Sequence, residues 1–165
     1  MLASIDVDAA WQQLASRDLI VLSKDRRDPV GAYPMTTEPT PHRLIFAGRA
    51  VNAMCALDAL SVTPMFGGQV EIQSTCRVTG KPVVVRQRDE SILEALPAGV
   101  LVGIRWQRPS TCHAAHSMCM EMVFLGDRQA AAAWHAGDLD NHSVLTLPEA
   151  IGLGASFFQP LVARD

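Results

Sequence analysis

The chain contains no run of apolar residues close to the roughly 20 needed to cross a bilayer, so no membrane partner is expected. Its first residues, Met1-Leu2-Ala3-Ser4-Ile5-Asp6, lack the basic and apolar stretches of a secretory signal, and a cytoplasmic location is the expectation. Basic residues are in deficit. Fourteen Lys and Arg stand against 17 Asp and Glu, a net charge of −3, so the positive stripe of a nucleic-acid-binding domain is missing. Among four cysteines (Cys55, Cys76, Cys112 and Cys119) there is no Cys-x-x-Cys, which removes the usual thioredoxin and zinc-ribbon readings. No internal repeat or low-complexity tract is present.

What is present is a chain of 165 residues with 48% hydrophobic content, enough to bury a core without disulfide staples. In a reducing compartment the four cysteines read as thiols. Four thiols in so short a chain need an explanation.

The pattern along the chain mixes strands and helices without the regular alternation of a doubly wound sheet. It predicts an α+β fold of mainly antiparallel strands flanked by short helices. Residues 7–17 are weakly helical, 19–22 read as a buried strand, and four prolines make 29–41 extended or irregular. Residues 43–46 look like a strand turning at Ala47-Gly48-Arg49. We divide the chain into a short N-terminal appendage packed on the core (1–47) and a main domain (48–165). Residues 50–60, rich in alanine, predict a helix ended by Pro64 and Gly67-Gly68. Strands are expected at 70–76, 82–86, 100–106 and 118–125, the last with Cys119, Glu121 and Val123 on one face. Helices are expected at 89–96, 129–136 and 147–153, with 144–147 a strand or a helix lead-in.

Cys55 and Asp58 are three residues apart in the most helical segment, which places thiol and carboxylate on one face, about 5–6 Å apart at Cβ. The ordinary alternative is a buried thiol beside a solvated carboxylate. An ionised Asp58 would raise the thiol pKa, so the pair makes more sense if a soft cation arrives to bind both.

Met54-Cys55-Ala56-Leu57-Asp58-Ala59-Leu60 resembles the signature of the organomercurial (alkylmercury) lyase family. The resemblance continues through Cys76 and Thr79-Gly80-Lys81-Pro82-Val83, Ser117-Met118-Cys119, Trp134 and Leu147-Pro148-Glu149-Ala150-Ile151-Gly152-Leu153-Gly154, spanning residues 43–160. It implies an alkylmercury-lyase-like core and cleavage of carbon–mercury bonds by protonolysis to a hydrocarbon and Hg(II). Cys55 and Cys119 would be the mercury-binding nucleophiles, Asp58 the proton donor and third metal ligand, and Cys76 structural. No organic cofactor is implied. The substrate would be an organomercurial small molecule and the bound product Hg(II), released to external thiols, whether low-molecular-weight thiols or those of a mercuric reductase. A free aspartic acid, with a pKa of about 3.9, is protonated roughly once in a thousand molecules near neutrality. Asp58 could donate only if buried, or if handed the Cys55 proton as mercury binds.

Departures from the family pattern are Met54 in place of an aromatic residue, Met120-Glu121 where longer members tend to have Cys or His, and a shorter N-terminal segment. A homodimer contact is one way to replace that segment. A non-catalytic soft-metal carrier for mercury or copper, using the same thiols, is the alternative function. In the segment Cys112-His113-Ala114-Ala115-His116-Ser117-Met118-Cys119, the side chains of Cys112, His116 and Cys119 would suit a zinc or copper site if they converged, and the ordinary reading is a surface loop with two histidines, His113 and His116. Gly152 and Gly154 read as a helix-end turn, Glu121 as a rim ion pair, and Trp11, Trp106 and Trp134 as core anchors.

Overall fold

A computed structural model describes residues 6–23, 25, 28–106 and 114–162. Two antiparallel sheets enclose one long buried helix. In chain order come α1 (Val7–Ser16), β1 (Val21–Leu22), β2 (Pro29–Ala32), β3 (Met35–Thr36), β4 (Arg43–Phe46), β5 (Arg49–Ala53) and α2 (Ala56–Phe66). Then follow β6 (Gln69–Thr75), β7 (Pro82–Arg88), β8 (Ser91–Leu96) and β9 (Leu101–Arg105). Two short 3-10 turns, Ala114–His116 and Met118–Glu121, lead into β10 (Met122–Leu125), α3 (Arg128–His135), β11 (His142–Thr146) and α4 (Leu147–Val162). The larger sheet has the order β1-β2-β3-β5-β4-β6-β7-β8 and the smaller β10-β9-β11. This is the expected α+β, mainly antiparallel class. Among the described residues no helix is long and apolar enough to cross a membrane.

Strands β6 and β7 alternate buried and open positions, with Val70 and Ile72 beside Val83 and Val85 on the same buried face of the sheet and Ile72 directly opposite Val85 in the ladder. Helix α2 packs against β5, β6 and β7 on one side and β10 on the other, with α4 lying along it. It is buried at eight consecutive residues, Ala56 to Thr63, as befits a helix that is apolar on every side. α4 comes so close that a Cβ on Gly154 would lie 2.2 Å from Ser61 Oγ. Gly152 and Gly154 are therefore interior to a 16-residue helix rather than in an end turn, and Gly154 is the contact that lets two helices approach.

Four other expectations are corrected. Residues 49–53 are a strand, because Ala47 and Gly48, both at positive φ, close a two-residue hairpin that pairs β5 with β4. Helix α2 starts only at Ala56. Residues 91–96 are a strand despite their helical composition, since Glu94 faces Arg86 across the β7–β8 ladder and forms an ion pair with it. Residues 118–121 form a 3-10 turn, because the ladder with β9 begins only at Met122 opposite Ile104.

The last correction concerns Pro64, which does not end α2. A proline inside a helix leaves the carbonyl four residues earlier without its N–H partner. Here Leu60 O accepts instead from Gln87 Nε2 at 2.9 Å, and Gln87 is fully buried. We expect Gln87→Leu to cost about 1–3 kcal/mol, because a buried carbonyl then has no donor. Adding Pro64→Ala restores an N–H in the helix, so the double variant should recover much of that loss in urea denaturation. Strict additivity of the two changes would rule out this account.

Candidate active site

Cys55 is the N-cap of α2, with extended backbone (φ −149°, ψ −179°), and its Sγ accepts from the Asp58 backbone N at 3.4 Å. The thiol occupies the place usually filled by a serine or aspartate, bonding the third residue of the helix. That bond turns Asp58 in the first helical turn back toward Cys55. Cys119 arrives from the other direction, on the 3-10 turn before β10. One ligand atom from each of Cys55, Asp58 and Cys119 lies within 4.8 Å of the others, and all three residues are buried. The structure thus brings together the three residues singled out in the sequence, 64 positions apart at their extremes.

Asp58 is 0% exposed, and no hydrogen bond of regular geometry reaches either carboxyl oxygen. Its polar neighbours are the two thiols. Burial pushes the carboxyl pKa from 3.8 up to about 7, against the pull of the thiols and the Cys55 backbone N–H. Burial also pushes the Cys55 thiol well above its ordinary value, and the neighbouring Cys119 and Asp58 add to that rise. The helix N-terminus favours an anion at this point, but desolvation outweighs it. Burial therefore favours the neutral forms of both Asp58 and Cys55.

A cavity of about 290 Å³ opens onto the trio. Its walls are mainly apolar and include Leu57, Met118, Met122, Phe157 and Phe158. Trp106 is 41% exposed on this cavity, with Nε1 donating to Ser143 Oγ at 2.8 Å, so it is a rim residue and not a core anchor. Trp134 is in the core, packed over Gly103.

Several contributors had no sequence signal. Met122 Sδ lies 3.7 Å from Cys55 Sγ and adds a thioether sulfur next to the trio. Tyr33 donates through its hydroxyl to Asp18 Oδ1 (3.1 Å) and accepts from Ala115 N (2.8 Å), while Asp18 Oδ2 accepts from Ala114 N (3.0 Å). This clamp fastens the segment carrying Cys119 to the N-terminal part of the chain. Tyr33 is the single tyrosine, the one feature that could have drawn attention to it.

Other candidates are placed elsewhere. Cys76 accepts from Gly126 N at 3.2 Å at the foot of β6. Burial opposes ionisation of Cys76, but hydrogen bonds from Thr79, Gly126 and Val78 outweigh it and lower the pKa. Glu121 bridges Arg105 (3.3 Å) and Arg77 (3.8 Å), the expected rim ion pair. Met54 does not face the trio's cavity. It lines a smaller neighbouring cleft. Cys112 and His113, and the His116 side chain, lie outside the described residues, so a site built on them has no placement.

The alkylmercury lyase family model matches residues 35–159, three-quarters of the chain, and spans all three residues of the trio. The chain belongs to the alkylmercury lyase family. An alkylmercury lyase of Staphylococcus epidermidis is 32% identical over 153 residues, covering 90% of this chain and 66% of that protein. One from Bacillus cereus is 31% identical over 134 residues, covering 79% and 59%. The chain thus spans about three-fifths to two-thirds of the length of these curated relatives. The solved mercury-bound form of MerB2 shares the fold, with a TM-score of 0.80 and 24% identity over 95% of this chain and 75% of that one.

A test of the buried carboxyl follows from its raised pKa. Between about pH 4 and 7 the folded chain holds a proton on Asp58 that the unfolded chain has released. Stability therefore falls as pH rises through this window and levels off above about 7, a difference of roughly 4 kcal/mol. Asp58→Asn removes that titration. Relative to wild type, the variant should gain stability steadily from about pH 4 to 7 and no further above it. Parallel curves in pH-dependent denaturation would mean that Asp58 is ionised at rest.

Proposed function

We propose that the chain cleaves carbon–mercury bonds by protonolysis, with Cys55, Cys119 and Asp58 as the reacting groups. Family membership supports the reaction class, and one observation carries the assignment of residues: two thiols and a carboxyl without a hydrogen-bond partner converge in one apolar cavity. Mercury is written here as substrate and product, and no organic cofactor is needed.

The net reaction is R–Hg⁺ plus two protein thiols giving R–H, a dithiolate-bound Hg²⁺ and one proton. An organomercurial enters the apolar cavity, and its mercury bonds Cys119 and Cys55, each thiol losing its proton as it coordinates. Burial gives Asp58 a pKa of about 7, so the carboxyl is protonated about half the time near neutrality rather than once in a thousand. It can hold the proton beside the Hg–C bond. Two thiolates push electron density through mercury onto the carbon, and Asp58 delivers the proton as that bond breaks. The electron pair of the Hg–C bond becomes the new C–H bond. Asp58, then ionised, is a third ligand for the Hg²⁺ left behind. External thiols would take the metal away, which suits a reducing cytoplasmic setting.

Phenylmercury with excess thiol is the direct assay, with benzene as readout. Asp58→Asn should lower benzene release by about 10²–10⁴-fold, the usual worth of a positioned acid, while Hg(II) is still bound. Cys55→Ala and Cys119→Ala should abolish release, and each should weaken Hg(II) retention. Tight Hg(II) binding by wild type with no benzene would instead mark the chain as a soft-metal carrier.

A further inference from the structure

Cys119 is a wall shared by two cavities, of which only the smaller has cationic side-chain types in its described lining. The larger one, described above, contains two acidic side chains in its lining, Asp18 and Asp58, and no Lys, Arg or His among the described residues. The second cleft, of about 70 Å³, shares only Cys119 with the first. Its lining includes His42, Met54, Thr75, Arg77 and Met120. Arg77 is about half exposed there, and its carboxylate partner Glu121 is shared with Arg105. Two guanidiniums thus face one carboxylate, and the group of three keeps a net positive charge. His42, bonded to Ser74 Oγ through Nδ1 at 2.9 Å, adds no charge near neutrality, since burial and Arg77 hold its pKa at about 4.

We propose that the second cleft is the docking site for the thiol that removes the metal product, a small thiol bearing a carboxylate, with Arg77 binding the carboxylate and the sulfur reaching mercury on the Cys119 side. This rests on the reading of Cys55 and Cys119 as mercury ligands. An approaching thiolate carries negative charge, which the apolar main cavity, with no cationic side chain among its described lining, disfavours and the Arg77 side favours. A volume of about 70 Å³ admits a thiol and its adjoining methylene while the carboxylate stays at the mouth. The guanidinium offers paired donors that match a carboxylate.

The exchange balances without any redox change. The incoming thiol releases its proton, its sulfur bonds mercury, the Hg–Sγ bond of Cys119 breaks, and Cys119 takes up one proton. A second thiol repeats the exchange at Cys55, which takes up one proton, and mercury leaves as a bis-thiolate whose two carboxylates carry its negative charge. Hydrocarbon and metal would then leave by different faces of the site, so that metal removal need not wait for the organic cavity to clear.

The test uses protein loaded with one equivalent of mercuric chloride, loading being verified by intact mass. Hg(II) release is then timed with mercaptoacetate and with 2-mercaptoethanol, which differ in charge at similar size. The ratio of the two rates, each corrected for its thiolate fraction, is the readout and is insensitive to general loosening of the fold. Wild type should favour mercaptoacetate, less so at high salt. Arg77→Gln should lower the ratio about three- to tenfold, as expected for losing one nearby charge near the surface. Arg77→Lys should restore most of it. A ratio unaltered by Arg77→Gln overturns the docking site while leaving the lyase reading intact. Failure of wild type to retain Hg(II) overturns both.

Discussion

One unfavourable placement governs this site: a carboxyl group fully removed from water, with two thiols as its nearest polar neighbours. Burying such a group without compensation costs several kcal/mol if it ionises, and the molecule avoids that cost by keeping the proton. The proton-holding carboxyl is thus a consequence of dryness alone, and the surrounding structure has the task of keeping the pocket dry. Helix α2 does this by being enclosed on every side between two sheets and α4. Cys55 as its cap fixes the first turn, which in turn fixes where Asp58 points.

Holding a helix that deeply buried creates its own polar difficulty, and the solution reaches back to the sheet. Pro64 leaves the Leu60 carbonyl without an intrahelical donor, and the buried Gln87 of β7 supplies one. The helix is thereby tied in register to the hairpin beside it. On the opposite side, Cys119 lies on a turn with no ladder partner, so its position depends on the Asp18–Tyr33 clamp to Ala114 and Ala115. The N-terminal segment therefore acts at the site by holding one of its two thiols in place, while contributing neither of them.

The α+β class, most strands and the three residues of the trio were legible in the sequence, for different reasons. Strands β6 and β7 follow a period of two that survives any tertiary context. The trio was visible only as Cys-x-x-Asp plus a distant cysteine, and resemblance, rather than spacing, linked its halves. Composition misled where pairing decided the outcome. Alanines at 50–53 read as helix, yet the Ala47-Gly48 turn makes them a strand, and Ser91–Leu96 likewise yields its helical preference to cross-strand charge pairing. Met122 and Tyr33 were illegible because each matters through contacts distant in sequence, and no local pattern encodes a partner 67 or 82 residues away.

Charge balance and donor type give such a pocket a physical reason to suit a soft, thiophilic cation better than harder metals. Burial favours the uncharged forms of Asp58 and Cys55 in the empty cavity. A divalent metal bound by two thiolates is again close to neutral, and the apolar walls tolerate it. Calcium and magnesium need six or more oxygen ligands, and the trio provides a single carboxylate among sulfurs. Zinc fits the donors better but prefers four ligands in tetrahedral array, and among the described residues the sulfur beside the trio is the weakly donating thioether of Met122. A linear, thiophilic cation would be satisfied by two sulfurs, which in the proposed mechanism leaves Asp58 free of the metal until its proton has been spent. The geometry that makes the site poor for common ions is the same geometry that leaves its acid available.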